Sequence, residues 1–171
     1  MLIKALTLLA IALNTAQANT ESVPENQLKV ALTYNFSRYT EWPETANSEH
    51  FNFCILNNTN LATALKKVVG RKTANKEIIV LDNPSGDQLG NCQLIFFGGR
   101  DRKYIANILD SIKNKPILTI GELPDFIDNG GIIYLYKKSD KLRFEINPAQ
   151  AQRSQLKISA QLLQLATITG N

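Results

Sequence analysis

Four short apolar runs, at residues 51–56, 77–81, 92–97 and 116–120, most constrain what this chain can fold into. Each has strand length, is rich in Ile, Leu, Val and Phe, and is bounded by polar or turn-forming residues. Helical patterns separate them. After Pro24, the residues Leu28, Leu32, Phe36 and Tyr39 recur at helical spacing, with Ala31 filling in, and the helix must end before Pro43. Asn60 is positioned to cap a helix over 61–69 that stops at Gly70. A further helix follows Gly98-Gly99 over 101–112, and a short one is expected over 123–128, ended by Gly130-Gly131. Residues 132–136 and 141–146, separated by Lys137, Lys138, Ser139 and Asp140, read as an antiparallel hairpin. Pro148 then opens a last helical region containing Leu156, Ile158, Leu162, Leu163, Leu165 and Ala166. Alternating strands and helices predict an α/β fold, a three-layer Rossmann-like sandwich with a mostly parallel central sheet and a C-terminal antiparallel hairpin. A single domain over 19–171 is expected.

The N-terminus carries Lys4, an apolar stretch over 5–13 and the small-residue site Ala16-Gln17-Ala18. These are the three parts of a secretory signal peptide over 1–18. The stretch falls short of the roughly 20 residues needed to cross a hydrocarbon core, so export with cleavage near Ala18 is expected rather than membrane insertion. In an oxidising compartment Cys54 and Cys92 read first as a disulfide, with two buried thiols as the alternative. The formal charge is +4, from 19 Lys/Arg against 15 Asp/Glu, and the basic residues form no run of like charges, which argues against nucleic acid as a partner.

Catalysis finds little foothold. His50 is the sole histidine and no serine sits in G-x-S-x-G, and with only Cys54 and Cys92 besides no zinc site can be assembled from His and Cys. No metal and no cofactor are expected. Glu122 and Asp125 stand near a strand end, but Asp125 suits the first turn of the short helix expected there. The Gly98-Gly99 turn lacks a full phosphate-binding glycine motif, and Asp101 is placed to cap the following helix itself. A small-molecule site at the strand ends, using Gly98, Gly99, Thr119, Gly121 and Glu122, is the alternative to protein recognition. The aromatic and arginine residues favour recognition: Arg38, Tyr39 and Trp42 crowd together after the first helix. In the hairpin Arg143 and Glu145 share one strand face, while Phe144 and Ile146 point to the core.

Residues 29–43, 53–56 and 91–96 resemble the YfiR family of exported α/β proteins, as do Ile117-Leu118-Thr119-Ile120, Phe126, Gly130-Gly131-Ile132-Ile133, Arg143-Phe144-Glu145-Ile146-Asn147 and the ending over 156–166. The resemblance runs in order through nearly all of the chain after the signal. It implies a periplasmic, non-enzymatic regulator that binds the periplasmic part of an inner-membrane diguanylate cyclase and holds it inactive. It also implies a strand-to-strand disulfide between Cys54 and Cys92. A second cysteine pair, carried by some members, is lacking here. The expected contact set is Arg38, Tyr39, Trp42, Arg143 and Glu145, with a second copy of the chain as a further expected partner covering exposed edges and the apolar C-terminal segment.

Overall fold

The computed structural model describes residues 24–44, 48–68, 70–99 and 101–169. The expected signal peptide, and the end of the second expected helix at Val69, lie outside them. Helix α1 (Glu25–Arg38) leads into a two-residue strand β1 (Thr40–Glu41). Then follow β2 (Phe51–Leu56), α2 (Thr59–Leu65), β3 (Lys72–Thr73), β4 (Lys76–Asp82), β5 (Leu94–Phe97), α3 (Arg102–Ser111) and β6 (Leu118–Gly121). The hairpin β7 (Ile133–Lys138) and β8 (Lys141–Ile146) precedes α4 (Pro148–Arg153), β9 (Lys157–Ile158), α5 (Ala160–Leu165) and β10 (Thr167–Ile168).

The main sheet has the order β10-β8-β7-β6-β5-β2-β4-β3. Its centre, β4-β2-β5-β6-β7, is parallel throughout, and antiparallel pairing enters at the β7–β8 hairpin and the β3–β4 hairpin. The mostly parallel α/β fold expected from the strand runs is therefore present, with β10 added in parallel along β8. Side-chain alternation divides the core. Phe53 and Ile55 of β2 join the layer beneath α1 and α2, while Cys54 and Leu56 join the layer beneath α3. Cys54 and Cys92 are bridged across a Cα–Cα distance of 6.0 Å, as expected. At the hairpin tip Ser139 and Asp140 both have positive φ, 48° and 59°, the backbone of a two-residue primed turn.

Four local expectations need correction. The buried face of α1 is Lys29, Thr33, Phe36 and Ser37, whereas Leu28 and Tyr39 are exposed. Thr33 and Ser37 are short enough to let the helix lie close to the sheet, Phe36 fills the gap against Phe144 at 4.9 Å, and Lys29 finds carboxylate partners beneath. The cap of α2 is Asn58, whose side chain accepts from the Leu61 N–H, rather than Asn60. Residues 123–130 form a succession of turns and no helix, because the chain must place Phe126 against two glycines and leave through Gly130 at φ +92°. Asp125 is accordingly not a helix-start acid; it pairs with Arg102 of α3. The last region is not one helix either. Leu156 and Ile158 are both buried with period two, so β9 pairs antiparallel with β1 between two short helices.

Candidate functional site

Two surfaces and one cleft collect the residues singled out in the sequence. On the hairpin, Arg143 lies opposite Tyr136 and Glu145 opposite Tyr134, so all four share a face. The rings of Tyr134 and Tyr136 stack at 5.0 Å. Burial, then the neighbouring Glu145 and Tyr136, push the Tyr134 phenol above its ordinary pKa. Arg143 is exposed and Glu145 half-buried. On the opposite face Phe144 meets Phe36, and Ile146 is fully buried. Beyond β8 the edge strand β10 places Thr167 beside Glu145, and Leu165 and Ile168 stand 76 % and 47 % exposed. Sequence reasoning did not assign Tyr134 or Tyr136 to this surface, although their alternation was the available signal.

The other members of the expected contact set sit at the C-terminal end of α1. Arg38 and Tyr39 are exposed, and the Arg38 guanidinium lies 5.9 Å from the centre of the Tyr34 ring. Trp42 is half-buried, edge-on to Phe51 at 4.8 Å, and its buried indole N–H has no hydrogen-bond partner among the described residues. Since α1 packs on the Phe144 face of β8, Arg38, Tyr39 and Trp42 are separated from Arg143 and Glu145 by the sheet.

The cleft opens at the carboxyl ends of β5 and β6, where α/β sheets place ligands. About 360 Å³ in volume, it is lined by Gly98, Gly99, Glu122, Tyr134 and Tyr136 together with Glu25 and Lys29 of α1. The Lys29 ammonium is 2.8 Å from Glu25 and 2.6 Å from Glu122. Burial pulls its pKa down, but the bonds to Glu122 and Glu25 outweigh burial and leave it raised. The hydrogen bond and charge of Lys29 lower the pKa of Glu25. Thr119 and Gly121 belong to the layer below: the Thr119 hydroxyl accepts from the Ile132 N–H, and Gly121 faces the Phe126 ring. Gly98 and Gly99 are pressed against Asn58 and Asn57, so closely that a Cβ on Gly98 would fall 2.4 Å from the Asn58 Cβ. Asp101 caps α3 by accepting from the Tyr104 N–H, as expected.

Glu122 and Asp125 are held by different cations, Lys29 and Arg102. Among the described residues no three His, Cys, Asp or Glu side chains are grouped to hold a metal ion. None of the described helices is long and apolar enough to cross a membrane.

The YfiR/HmsC-like family model matches residues 26–167, a span from the second residue of α1 to the first of β10. No curated protein matches the chain. The match takes in the disulfide pair and the sheet as far as Thr167, and the chain thereby belongs to the YfiR/HmsC-like family of periplasmic regulators of diguanylate cyclases.

Proposed function

We propose that this protein is exported and binds the periplasmic sensor part of an inner-membrane diguanylate cyclase, holding the enzyme inactive and so lowering cyclic di-GMP and biofilm formation. It does this by binding alone, without catalysis. The observation that carries the reading is the family match over residues 26–167. The hairpin surface supports it: exposed Arg143 beside the stacked Tyr134 and Tyr136 supplies the arginine and aromatic components enriched at protein interfaces. Cyclic di-GMP is made in the cytoplasm, so a periplasmic regulator has to act through a membrane-spanning partner. It shifts that partner only by binding the inactive conformation more tightly than the active one.

Deletion of the gene should raise cyclic di-GMP, and re-expression of the wild type should restore it. Re-expression of Arg143→Ala or Trp42→Ala should restore it incompletely, with the protein at equal abundance. Unchanged cyclic di-GMP on deletion would overturn the proposal. Capture of a cyclase from detergent-solubilised membranes tests the contact directly.

A second reading, binding of a small molecule, is favoured by one observation: Gly98, Gly99 and Glu122 line the same strand-end cleft as Lys29. Saturable thermal stabilisation by one metabolite, abolished by Glu122→Gln, would support it.

A further inference from the structure

Basic residues that look scattered along the chain converge in space. Residues 59–81 contain Lys66, Lys67, Arg71, Lys72 and Lys76 and a single acid, Glu77, for a net charge of +4 that equals that of the whole chain. Lys66 and Lys67 occupy a single helical turn after α2, and the Arg71 N–H donates to the Val68 carbonyl, folding Arg71 back beside them. The Tyr34 ring gathers the rest. The Arg71 guanidinium lies 5.6 Å from its centre and that of Arg38 5.9 Å, while the Tyr34 hydroxyl donates to the Lys72 carbonyl at 3.5 Å. Three segments thus bring Arg38, Lys66, Lys67, Arg71 and Lys72 to one exposed surface. Among the described residues none of these five forms an ion pair, a state shared with Lys103 and Lys113 elsewhere, so it is their convergence that sets them apart. Lys76 has a partner of its own and is left out of the patch.

We infer that this patch docks the protein electrostatically on an anionic phospholipid surface. Unpaired like charges repel one another and are relieved by a counter-surface of opposite sign. None of the five side chains lines the strand-end cleft or the hollow bounded by Trp42, Phe51 and Gln93. A plane of many headgroups asks only for clustered, flexible cations, each of which strengthens attachment near the surface. The half-buried Tyr34 adds an amphipathic ring of the kind that settles at headgroup level. This docking adds to the cyclase reading, since it keeps a soluble regulator in the plane of its membrane-embedded partner. It needs no cyclase to be tested.

The experiment is co-sedimentation of the protein, purified from the periplasmic fraction, with vesicles of phosphatidylcholine alone and of phosphatidylcholine with phosphatidylglycerol. The expected result is binding to the anionic vesicles only, weakening as salt is raised. Lys67→Glu with Arg71→Glu should lower the partition coefficient by roughly twenty-fold or more, from about five-fold per cation lost. Lys103→Glu with Lys113→Glu makes the same charge change on α3 and the turn that follows it, across the sheet, and should cost far less. Circular dichroism and melting temperature confirm that both double variants fold. Equal binding to both vesicle types, equal loss in the α3 variant, or binding to soluble polyglutamate but not to vesicles would each overturn the inference. Because the assay contains no cyclase, its failure leaves the cyclic di-GMP experiment to stand or fall on its own.

Discussion

Gly121→Ala tests the packing of one aromatic ring. Phe126 is 1 % exposed, and both of its edges are gripped by glycines. A Cβ on Gly121 would lie 2.3 and 2.4 Å from Cδ2 and Cε2, and one on Gly131 would lie 2.2 Å from both Cδ1 and Cε1. The ring cannot retreat from one alanine without meeting the opposite glycine, and Phe97 stands 5.5 Å away, ring centre to ring centre. Gly121 lies in β6 without a positive φ, so its backbone does not itself require glycine; the ring does. Overpacking a tight core typically costs about 1–3 kcal/mol, and a ring with no direction of escape belongs near the upper end, ~3 kcal/mol. For a domain of this size that lowers Tm by roughly 6–12 °C. The assay is thermal and urea unfolding of Gly121→Ala, Phe126→Leu and the double variant. Leucine frees the space the new methyl group needs, so the double variant should be more stable than the sum of the single losses allows, by about 1–2 kcal/mol. A Gly121→Ala loss under about 0.5 kcal/mol, or strict additivity in the double variant, would refute the reasoning.

Cys54→Ala with Cys92→Ala should cost about 4 kcal/mol from the 38-residue separation alone, or roughly 8–16 °C in Tm, and reductant should lower the melting temperature of the wild type but not of the variant. Glu25, its pKa lowered by Lys29, contributes stability that is present above its unfolded pKa of about 4.3 and is lost as pH falls through the lower folded value; melts from pH 7 to pH 3 should show a shallower acid loss for Glu25→Gln. Lys29 has the opposite sign: its raised pKa gives stability that is complete below the unfolded value of about 10.4 and is lost as pH rises through the folded one, a loss that Lys29→Met should not show. Replacing Ser139 and Asp140 by Asn and Gly should raise stability by about 0.5–1 kcal/mol in urea unfolding, since both positions hold positive φ.

The central strands were legible because burial on both faces leaves its mark within the strand itself, as in 53–56 and 94–97. The hairpin was equally plain, since Phe144 and Ile146 alternate with Arg143 and Glu145. The turning of α1 was not legible from its own sequence. Lys29 can be buried only because Glu122, from the end of β6, meets it, and no helical periodicity records a partner so distant in the chain. Leu156 and Ile158 suited a helix as readily as a strand until β1 supplied hydrogen-bonding partners. For the candidate surfaces, residue type marked Arg143 and Glu145, but whether they share a face with Arg38 and Trp42 depends on where α1 lands. The basic patch was hidden for the same reason: Arg38 and Arg71 become neighbours only through Tyr34.

The small β1–β9 sheet has a consequence for the order in which the molecule assembles. Thr40 pairs with Ile158 and Glu41 with Lys157, and the Ser159 N–H donates to the Tyr39 carbonyl. The first helix is thus latched at its far end by a segment synthesised long after it. Contacts that close so long a loop form late, after the entropy of closure has been met. A chain emerging N-terminus first would hold α1 without this latch until residues 157–159 arrived, and for that interval Tyr39, Thr40 and Glu41 would lack their pairing partners. A truncation after α4 would therefore leave the opening helix unfastened, a lesion at one end of the sequence felt at the other.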